Sequence, residues 1–184
     1  MNDHDLIREI LSGDEEAVNE LHNRYVDRLF HYIYIQTNSY HDSEELLQDV
    51  FFKAARQLER FEGRSSFKTW LFKIARNMVI DYYRKKPSKR NSITMETDTL
   101  TALAGENESA ETTVLRHLHI NEVLKKMDKL PTHYQTVLHL RFVEDFSIKE
   151  TADIMGKSSL AVKSMQRRAR LALAEEISLE VSSR

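Results

Sequence analysis

Apolar residues recur at spacings of three or four over two long stretches near the start of the chain, which is the period of one face of a helix. The first stretch runs from about Asp14 to Thr37, and the second is HDSEELLQDVFFKAARQLERF. In the second, Asp42 is followed three residues later by Glu45, which predicts a capping box that opens the helix. The predicted stripes are Ala17, Leu21, Tyr25, Leu29 and Tyr32 in the first helix, and Leu46, Val50, Ala54 and Leu58, widened by Leu47 and Phe51, in the second.

The side of the second helix opposite its stripe is polar except for one phenylalanine. On a helical wheel this side carries Glu45, Gln48, Asp49, Phe52, Arg56 and Glu59. Phe52 is then either partly buried beneath the N-terminal helix, or the apolar anchor of a protein–protein interface ringed by polar groups.

A third helix is predicted in FEGRSSFKTWLFKIARNMVIDYYRKK, starting near Ser65 or Ser66. At 100° per residue its apolar sector, predicted to be core, consists of Phe67, Leu71, Ile74, Met78 and Tyr82. The opposite side mixes rings with cations, namely Phe72, Lys73, Arg76, Tyr83 and Arg84. Such a mixture is typical of surfaces that bind single-stranded nucleic acid. Trp70, at the edge of the apolar sector with Asn77, is therefore either a core anchor or a DNA contact.

The periodicity stops at Pro87 and Ser88, which are predicted to end the third helix. The stretch SITMETDTLTALAGENESAETT that follows is rich in Thr, Ser, Glu and Ala and predicts a flexible acidic linker, or at best a weak helix. Periodicity returns near Val114, and Pro131 is suited to the first position of a helix PTHYQTVLHLRFVE. With only four Gly and two Pro in 184 residues, we predict an all-α protein. Two small helical domains, 1–88 and 114–184, are joined by a linker, 89–113.

The stretch SIKETADIMGKSSLAVKSMQRRARLALAEE is typical of a helix-turn-helix with a short helix on each side of Gly156. Glycine fits the turn because a positive φ costs it little. A capping box, Ser147 with Glu150, opens the first helix, and Ser158 or Ser159 is predicted to cap the second. The predicted core residues are Ile148, Ala152 and Met155 in the first helix and Val162 and Met165 in the second.

The outward side of the second of these helices carries Lys163, Ser164, Arg167 and Arg168. Three of the four are long cations that can reach phosphates or base edges in a major groove. The alternative is a helical hairpin whose basic face is merely solvated. No acid occurs from Lys157 to Arg170, which favours DNA binding.

A net charge of −2 conceals an uneven distribution along the chain. Basic residues dominate from Arg64 to Arg90, where Asp81 is the one acid, and again from Lys157 to Arg170. The segment between them, Ser92 to Thr113, has five acids and no base. Two basic segments that flank an acidic one suggest two contact points for nucleic acid.

Several classes of function are excluded by what the sequence lacks. Without cysteine there are no disulfides, thiolate metal sites or cysteine nucleophiles. The eight histidines have no metal-ligand spacing, and no phosphate loop, acid pair or triad stands out, so we predict no catalytic site, metal or cofactor. The charged N-terminus is not a signal peptide, and no apolar run could span a bilayer, which predicts a cytoplasmic protein without membrane insertion.

Three motifs in this order resemble the extracytoplasmic-function (ECF) sigma factors, the small sigma subunits of bacterial RNA polymerase. They are LLQDVFFKA, the whole of FEGRSSFKTWLFKIARNMVIDYYRKK and, after the linker, LPTHYQTVLHLRFVEDFSIKETADIMGKSSLAVKS. The resemblance covers nearly the whole chain except the linker and the last few residues. Leu160 and Ala161 depart from the Gly-Thr that often precedes Val-Lys in this family.

The resemblance implies a function for each domain. The region-two domain (1–88) would dock on the clamp of the largest subunit of core RNA polymerase and read the minus-ten element. The region-four domain (114–184) would contact the flap of the second-largest subunit and bind the minus-thirty-five element. The implied partners are core RNA polymerase, promoter DNA and an anti-sigma factor, which could hold the protein at the membrane.

The resemblance also implies roles for single residues. Gln48 and Asp49 match contacts to the polymerase clamp, and Glu45 and Phe52 share their face. Asn77 matches a position that reads the minus-ten element. Three loop residues, Arg64, Ser65 and Ser66, match a loop that holds a flipped base. Arg141 is either a contact to the minus-thirty-five backbone or an ordinary surface residue.

Two other classes of function stay open at this point. A stand-alone helix-turn-helix regulator would bind duplex DNA tightly without polymerase, but it does not need the aromatic-basic helix or the acidic docking face. An α-helical enzyme has no constellation of residues in its favour.

Overall fold

The computed structural model describes residues 1–86 and 126–181, and the regular elements within them are helices. These residues divide essentially into an N-terminal and a C-terminal compact unit. The helices of the N-terminal unit are α1 (Asp3–Leu11), α2 (Glu15–Thr37), α3 (Tyr40–Gln57), a 3-10 turn (Leu58–Arg60) and α4 (Phe67–Lys85). Those of the C-terminal unit are α5 (Thr132–Leu138), a π-helical segment (His139–Val143), α6 (Ile148–Met155) and α7 (Ser159–Val181).

The core of the N-terminal unit lies between α2, α3 and α4, which pack against one another. The predicted main stripes of the first two helices are confirmed, because their members are all buried. The largest of the fully buried side chains here are Tyr32, Phe72, Leu29 and Ile33. Burial of each contributes about 1.5–3 kcal/mol.

The short helix that precedes α2, α1, was not predicted from the sequence and packs against α2. Leu6 and Ile7 are its buried residues. Polar contacts add to the packing, since Arg24 Nη1 donates to Asp3 Oδ1 at 2.7 Å and the hydroxyl of Tyr25 donates to the other oxygen of the same carboxylate. Burial, followed by this hydrogen bond, raises the pKa of Tyr25.

The start of α3 differs from the predicted capping box. Asn38 ends α2 in the left-handed conformation, with a φ of 48°, and Ser39 caps α3 by accepting a hydrogen bond from the backbone N–H of Asp42 at 3.4 Å. Asp42 therefore lies inside the first turn, where it is buried with Lys86 Nζ 3.7 Å from its carboxylate. The prediction was wrong because the tight turn after α2 starts the next helix earlier than the Asp42–Glu45 spacing indicates.

The C-terminal unit is centred on α5 and α7, which pack together. Pro131 caps α5 rather than opening it, so the helix begins one residue later than predicted. The core includes Leu140, Phe146 and, as predicted, Val162. At 23 residues, α7 is much longer than the short helix expected after Gly156.

Three sequence predictions concern residues beyond the described ranges. The linker 89–113, the helix proposed from about Val114, and the helix end at Pro87 and Ser88 all lie there. Across the described ranges, no helix combines the length and apolar character required to cross a bilayer.

Candidate nucleic-acid and polymerase interfaces

The helix-turn-helix has the local geometry that its sequence predicts. The backbone N–H of Ser147 donates to Glu150 Oε2 at 2.9 Å, and the N–H of Glu150 donates back to Ser147 Oγ at 3.2 Å. Gly156 has a φ of +65° in the turn. Ser158, one of the two predicted caps, accepts a hydrogen bond from the N–H of Ala161 at 3.1 Å and so caps α7.

The start of α7 has one buried and one exposed face. Val162, Met165 and Ala169 are buried against the rest of the unit. On the other side, Lys163, Arg167 and Arg168 are exposed and Ser164 is half-buried. The structure thus brings the four predicted DNA-contacting residues of this helix together on its outward side.

Arg141 is half-buried and bridges three parts of the C-terminal unit. Its Nε donates to Gln166 Oε1 on α7 at 2.9 Å, and its Nη1 donates to the backbone carbonyl oxygen of Phe146. Arg141 is therefore not an ordinary surface residue. A contact from it to the DNA backbone stays a prediction, whereas its hydrogen bonds to α7 are visible.

A buried histidine–glutamate pair follows α5 and was missed by the sequence reasoning. His139 Nε2 lies 3.7 Å from Glu144 Oε1, and both side chains are buried. The backbone N–H of Glu144 donates to the carbonyl oxygen of His139 at 2.9 Å, which is the five-residue spacing of a π-helix. The usual 3.6-residue period would set these residues far apart around the helix, so no ordinary pattern points to the pair.

Two of the residues predicted to bind minus-ten DNA belong to the core instead. Phe72 is completely buried, with its ring centroid 5.2 Å from that of Tyr32. Tyr83 is buried too, and its hydroxyl donates to the carbonyl oxygen of Gln36 at 2.7 Å. The stacking role predicted for both rings was wrong, because α4 packs against α2 and α3 together and its buried sector is wider than one apolar stripe.

The exposed face of α4 retains the predicted cations without the two rings. Lys73, Asn77 and Arg84 are exposed and Arg76 is half-buried. Arg84 forms an ion pair with Asp81 at 3.1 Å. Ile80, which the sequence reasoning did not select, is also exposed on this face.

The loop before α4 and the first turn of α4 carry a cluster of aromatic rings and three of the predicted DNA contacts. Trp70 is half-buried, with its ring centroid 5.2 Å from Phe61 and 5.5 Å from Phe67. Among the predicted loop contacts, Arg64 is exposed and paired with Glu62, and Ser65 is half-buried. Ser66 Oγ accepts a hydrogen bond from the backbone N–H of Thr69 at 3.1 Å, so this hydroxyl forms the N-terminal cap of α4.

The polar side of α3 presents an uncovered aromatic ring. Phe52 is 66% exposed, which excludes the alternative of partial burial, and the guanidinium carbon of Arg56 lies 5.7 Å from its ring centroid. Glu45, Gln48 and Asp49 are exposed beside it. Such an arrangement of an apolar anchor within a polar rim is typical of a protein interface.

Among residues 1–86 and 126–181, no group of three or more His, Asp or Glu side chains is arranged so that it could hold a metal ion.

Two family models match the chain in separate segments. The Sigma-70 region 2 model matches residues 21–88, and the Sigma-70 region 4 model matches residues 120–173. The first covers α2 to α4 and the second covers the helix-turn-helix. A region 2 match beside a region 4 match favours a sigma factor over a stand-alone helix-turn-helix regulator.

Relatives and solved structures agree with these matches. The chain is 31% identical to the ECF RNA polymerase sigma factor SigX of Bacillus subtilis over 84% of this chain and 80% of SigX. CnrH, solved in complex with the cytosolic domain of CnrY, has a TM-score of 0.64 at 24% identity, over 96% of this chain and 97% of CnrH. The sigma factor RpoE of Bartonella quintana, solved with the anti-sigma factor NepR, has a TM-score of 0.61 at 22% identity, over 88% and 96%. The two structures share the fold of this chain, and the region matches together with the likeness to SigX show that it belongs to the ECF family of RNA polymerase sigma factors, which direct promoter-specific transcription initiation.

Proposed function

We propose that this sigma factor uses three separate surfaces, one for core RNA polymerase and one for each promoter element. The polymerase surface is the exposed side of α3, with Phe52 as its apolar anchor and Gln48 and Asp49 in its polar rim. A clamp arginine would form a charge-assisted hydrogen bond with Asp49. The flap of the second-largest subunit is the proposed contact of the C-terminal unit.

The minus-ten surface comprises the exposed side of α4 and the loop from Gly63 to Ser66. Lys73, Arg76 and Arg84 would hold the sugar–phosphate backbone of the separated strand, while Asn77 reads a base. Phe72 and Tyr83 are buried, so of the three rings predicted as possible DNA contacts only Trp70, which is half-buried, remains available for stacking. Extrusion of a base costs a few kcal/mol, which contacts in the loop must offset.

The minus-thirty-five surface is the outward side of α7, which would lie in the major groove. Lys163, Ser164, Arg167 and Arg168 are its proposed contacts. Arg141 would either reach the adjacent phosphate or hold α7 in place. Two weak DNA contacts made by domains tethered to one enzyme gain affinity through their effective concentration.

The observation that carries this proposal is the exposure of Phe52 within a polar face. A protein that bound only DNA would gain nothing from a bare phenylalanine on a helix with acids around it. A polymerase subunit needs such an anchor, because apolar residues at the centre of an interface supply much of its binding energy.

Further partners and properties belong to the same proposal. CnrH was solved with CnrY, and the Bartonella sigma factor was solved with an anti-sigma factor. We propose an anti-sigma partner for this chain too, a cytoplasmic location, and no catalytic activity of its own, since the polymerase performs the chemistry. The proposed domain limits are 1–88 and 114–184, with 89–113 as the linker.

Run-off transcription with core polymerase of the bacterium that encodes the protein tests the proposal. The full chain should direct a specific transcript from a matching promoter, and its own promoter is one candidate template. Asp49→Arg should weaken core binding and abolish the transcript, whereas Asp27→Arg, an exposed position on α2, should leave both unchanged. Tight binding to duplex promoter DNA without polymerase, and no specific transcript with it, would contradict the proposal.

A further inference from the structure

We infer that Leu160 reads a thymine in the minus-thirty-five element, through apolar contact with the C5-methyl group of the base. The inference rests on the proposed function, since it requires that α7 lies in the major groove. It adds a specificity-determining residue to that surface and names the chemical group which that residue recognises.

Leu160 projects directly away from the core of its own unit. It lies in the first turn of α7 and is 53% exposed, while Val162 and Met165 on the opposite face are buried. At 100° per residue, Leu160 and Arg167 differ by about 20° around the helix. Leu160 therefore lies on the same line along α7 as the central cation of the proposed DNA surface.

The surroundings of Leu160 distinguish it from an ordinary surface leucine. Exposed leucines are common and carry little information by themselves. Here the neighbours at three, four and seven residues along the same face are Lys163, Ser164 and Arg167, all polar or cationic. One aliphatic side chain is thus presented alone among groups suited to phosphates and base edges.

The major groove of DNA offers one apolar group to such a side chain. The C5-methyl of thymine projects into the groove, and apolar side chains contact it in known complexes. In a helix-turn-helix the N-terminal residues of the recognition helix contact base edges. Leu160, the second residue of α7 after the Ser158 cap, has that position.

The chain supplies a matched control on the same helix. Leu171 is exposed to a similar extent, at 56%, and faces the same side of α7. It lies eleven residues further on, about 16 Å along the axis. A leucine at that distance is beyond the turn that enters the groove, so its removal should not alter base recognition.

The experiment removes single methyl groups from the DNA. Holoenzyme assembled from the full chain and core polymerase first selects its promoter from a randomised library. Each thymine of the selected minus-thirty-five element is then replaced by deoxyuridine, which lacks only the methyl, and holoenzyme affinity is measured by fluorescence anisotropy. At one position the replacement should weaken binding about fourfold for the wild-type chain and for Leu171→Ala. It should have no effect for Leu160→Ala.

The outcomes separate this inference from the proposed function. A selected element without a methyl-dependent thymine, or a methyl dependence that persists in Leu160→Ala, would overturn the role of Leu160 while the minus-thirty-five surface stands. A selection that yields no minus-thirty-five preference would instead refute that surface. Equal thermal unfolding of the two variants and the wild-type chain excludes a folding effect.

Discussion

The side chain of Arg141 is hydrogen-bonded to Gln166, with its Nε 2.9 Å from Oε1, and this bond joins the π-helical segment to α7. The same guanidinium donates to the carbonyl oxygen of Phe146 in the turn before α6. One arginine thus connects the π-helical segment and the turn before α6 with the helix proposed to read DNA. We therefore expect Arg141 to hold that helix in position.

Arg141→Ala should lower the free energy of unfolding of the C-terminal unit by about 1–3 kcal/mol, because it removes two hydrogen bonds made by a charged, half-buried side chain. Helical circular dichroism in urea measures this change. The salt dependence of promoter binding separates the two roles of the residue. If Arg141 only positions α7, the slope of log K against log salt is unchanged in the variant. If a phosphate contact is lost, the slope becomes less steep by about one.

Phe72→Ala should destabilise the N-terminal unit by about 3–5 kcal/mol, since Phe72 is fully buried between packed helices. The neighbouring exposed residue provides the control, because Lys73→Ala should change the unfolding free energy by less than about 0.5 kcal/mol. Fluorescence of Trp70, the one tryptophan in the chain, reports unfolding of this unit. A Phe72→Ala variant with unaltered stability but defective promoter melting would restore the stacking role that burial excludes.

Phe52→Ala should leave the stability of the N-terminal unit unchanged and weaken binding to core polymerase by at least about 1–2 kcal/mol. The first effect follows from exposure of the ring, and the second from its place at the centre of the proposed polymerase surface. Titration of labelled core polymerase measures the affinity. An unchanged affinity would remove Phe52 from the interface.

Arg167→Ala should weaken use of the minus-thirty-five element by about 1–3 kcal/mol if the side chain contacts a base. Glu175→Ala, an exposed change further along the same helix, is the control. Binding to matched and single-mismatch promoters measures the loss, which should be concentrated at one base pair. An equal loss on every sequence would indicate a phosphate contact instead.

The free energy of unfolding of the N-terminal unit should fall above about pH 10, and Tyr32 should contribute to this fall. Burial raises the pKa of Tyr32 to about 12, above the value of about 10 in an unfolded chain. Between these two pH values Tyr32 keeps its proton in the folded state but loses it in the unfolded state. The stabilisation that Tyr32 contributes is therefore complete below about pH 10 and is lost as the pH rises to about 12.

Trp70 fluorescence in urea at pH 8 to 11.5 checks the sign and slope of this pH dependence. Tyr32→Phe should lower the slope by about 1.4 kcal/mol per pH unit between the two pKa values. The exposed Tyr40 provides the control, because Tyr40→Phe should leave the slope unchanged. An unaltered slope in Tyr32→Phe would show that this phenol does not titrate differently in the two states.

Much of the fold follows from local rules that the sequence states directly. Ser66, the Ser147–Glu150 box, Ser158 and the glycine turn at Gly156 act within a few residues, so their geometry does not depend on distant contacts. The stripe of α2 depends only on helix periodicity. The cationic face of α7 was equally predictable, because long charged residues avoid burial.

The tertiary structure decided which faces of the helices are buried and which side chains meet. Phe72 and Tyr83 are core residues because two helices cover α4, and one apolar stripe does not reveal how many neighbours a helix has. His139 and Glu144 meet because a π-helical segment replaces the 3.6-residue period. Arg141 and Gln166 meet through folding of the chain. The sequence by itself determined the family, most of the helices and the charge pattern, since these depend on residue type and spacing. Burial and the pairing of side chains depend on contacts between distant segments, which only the folded chain supplies.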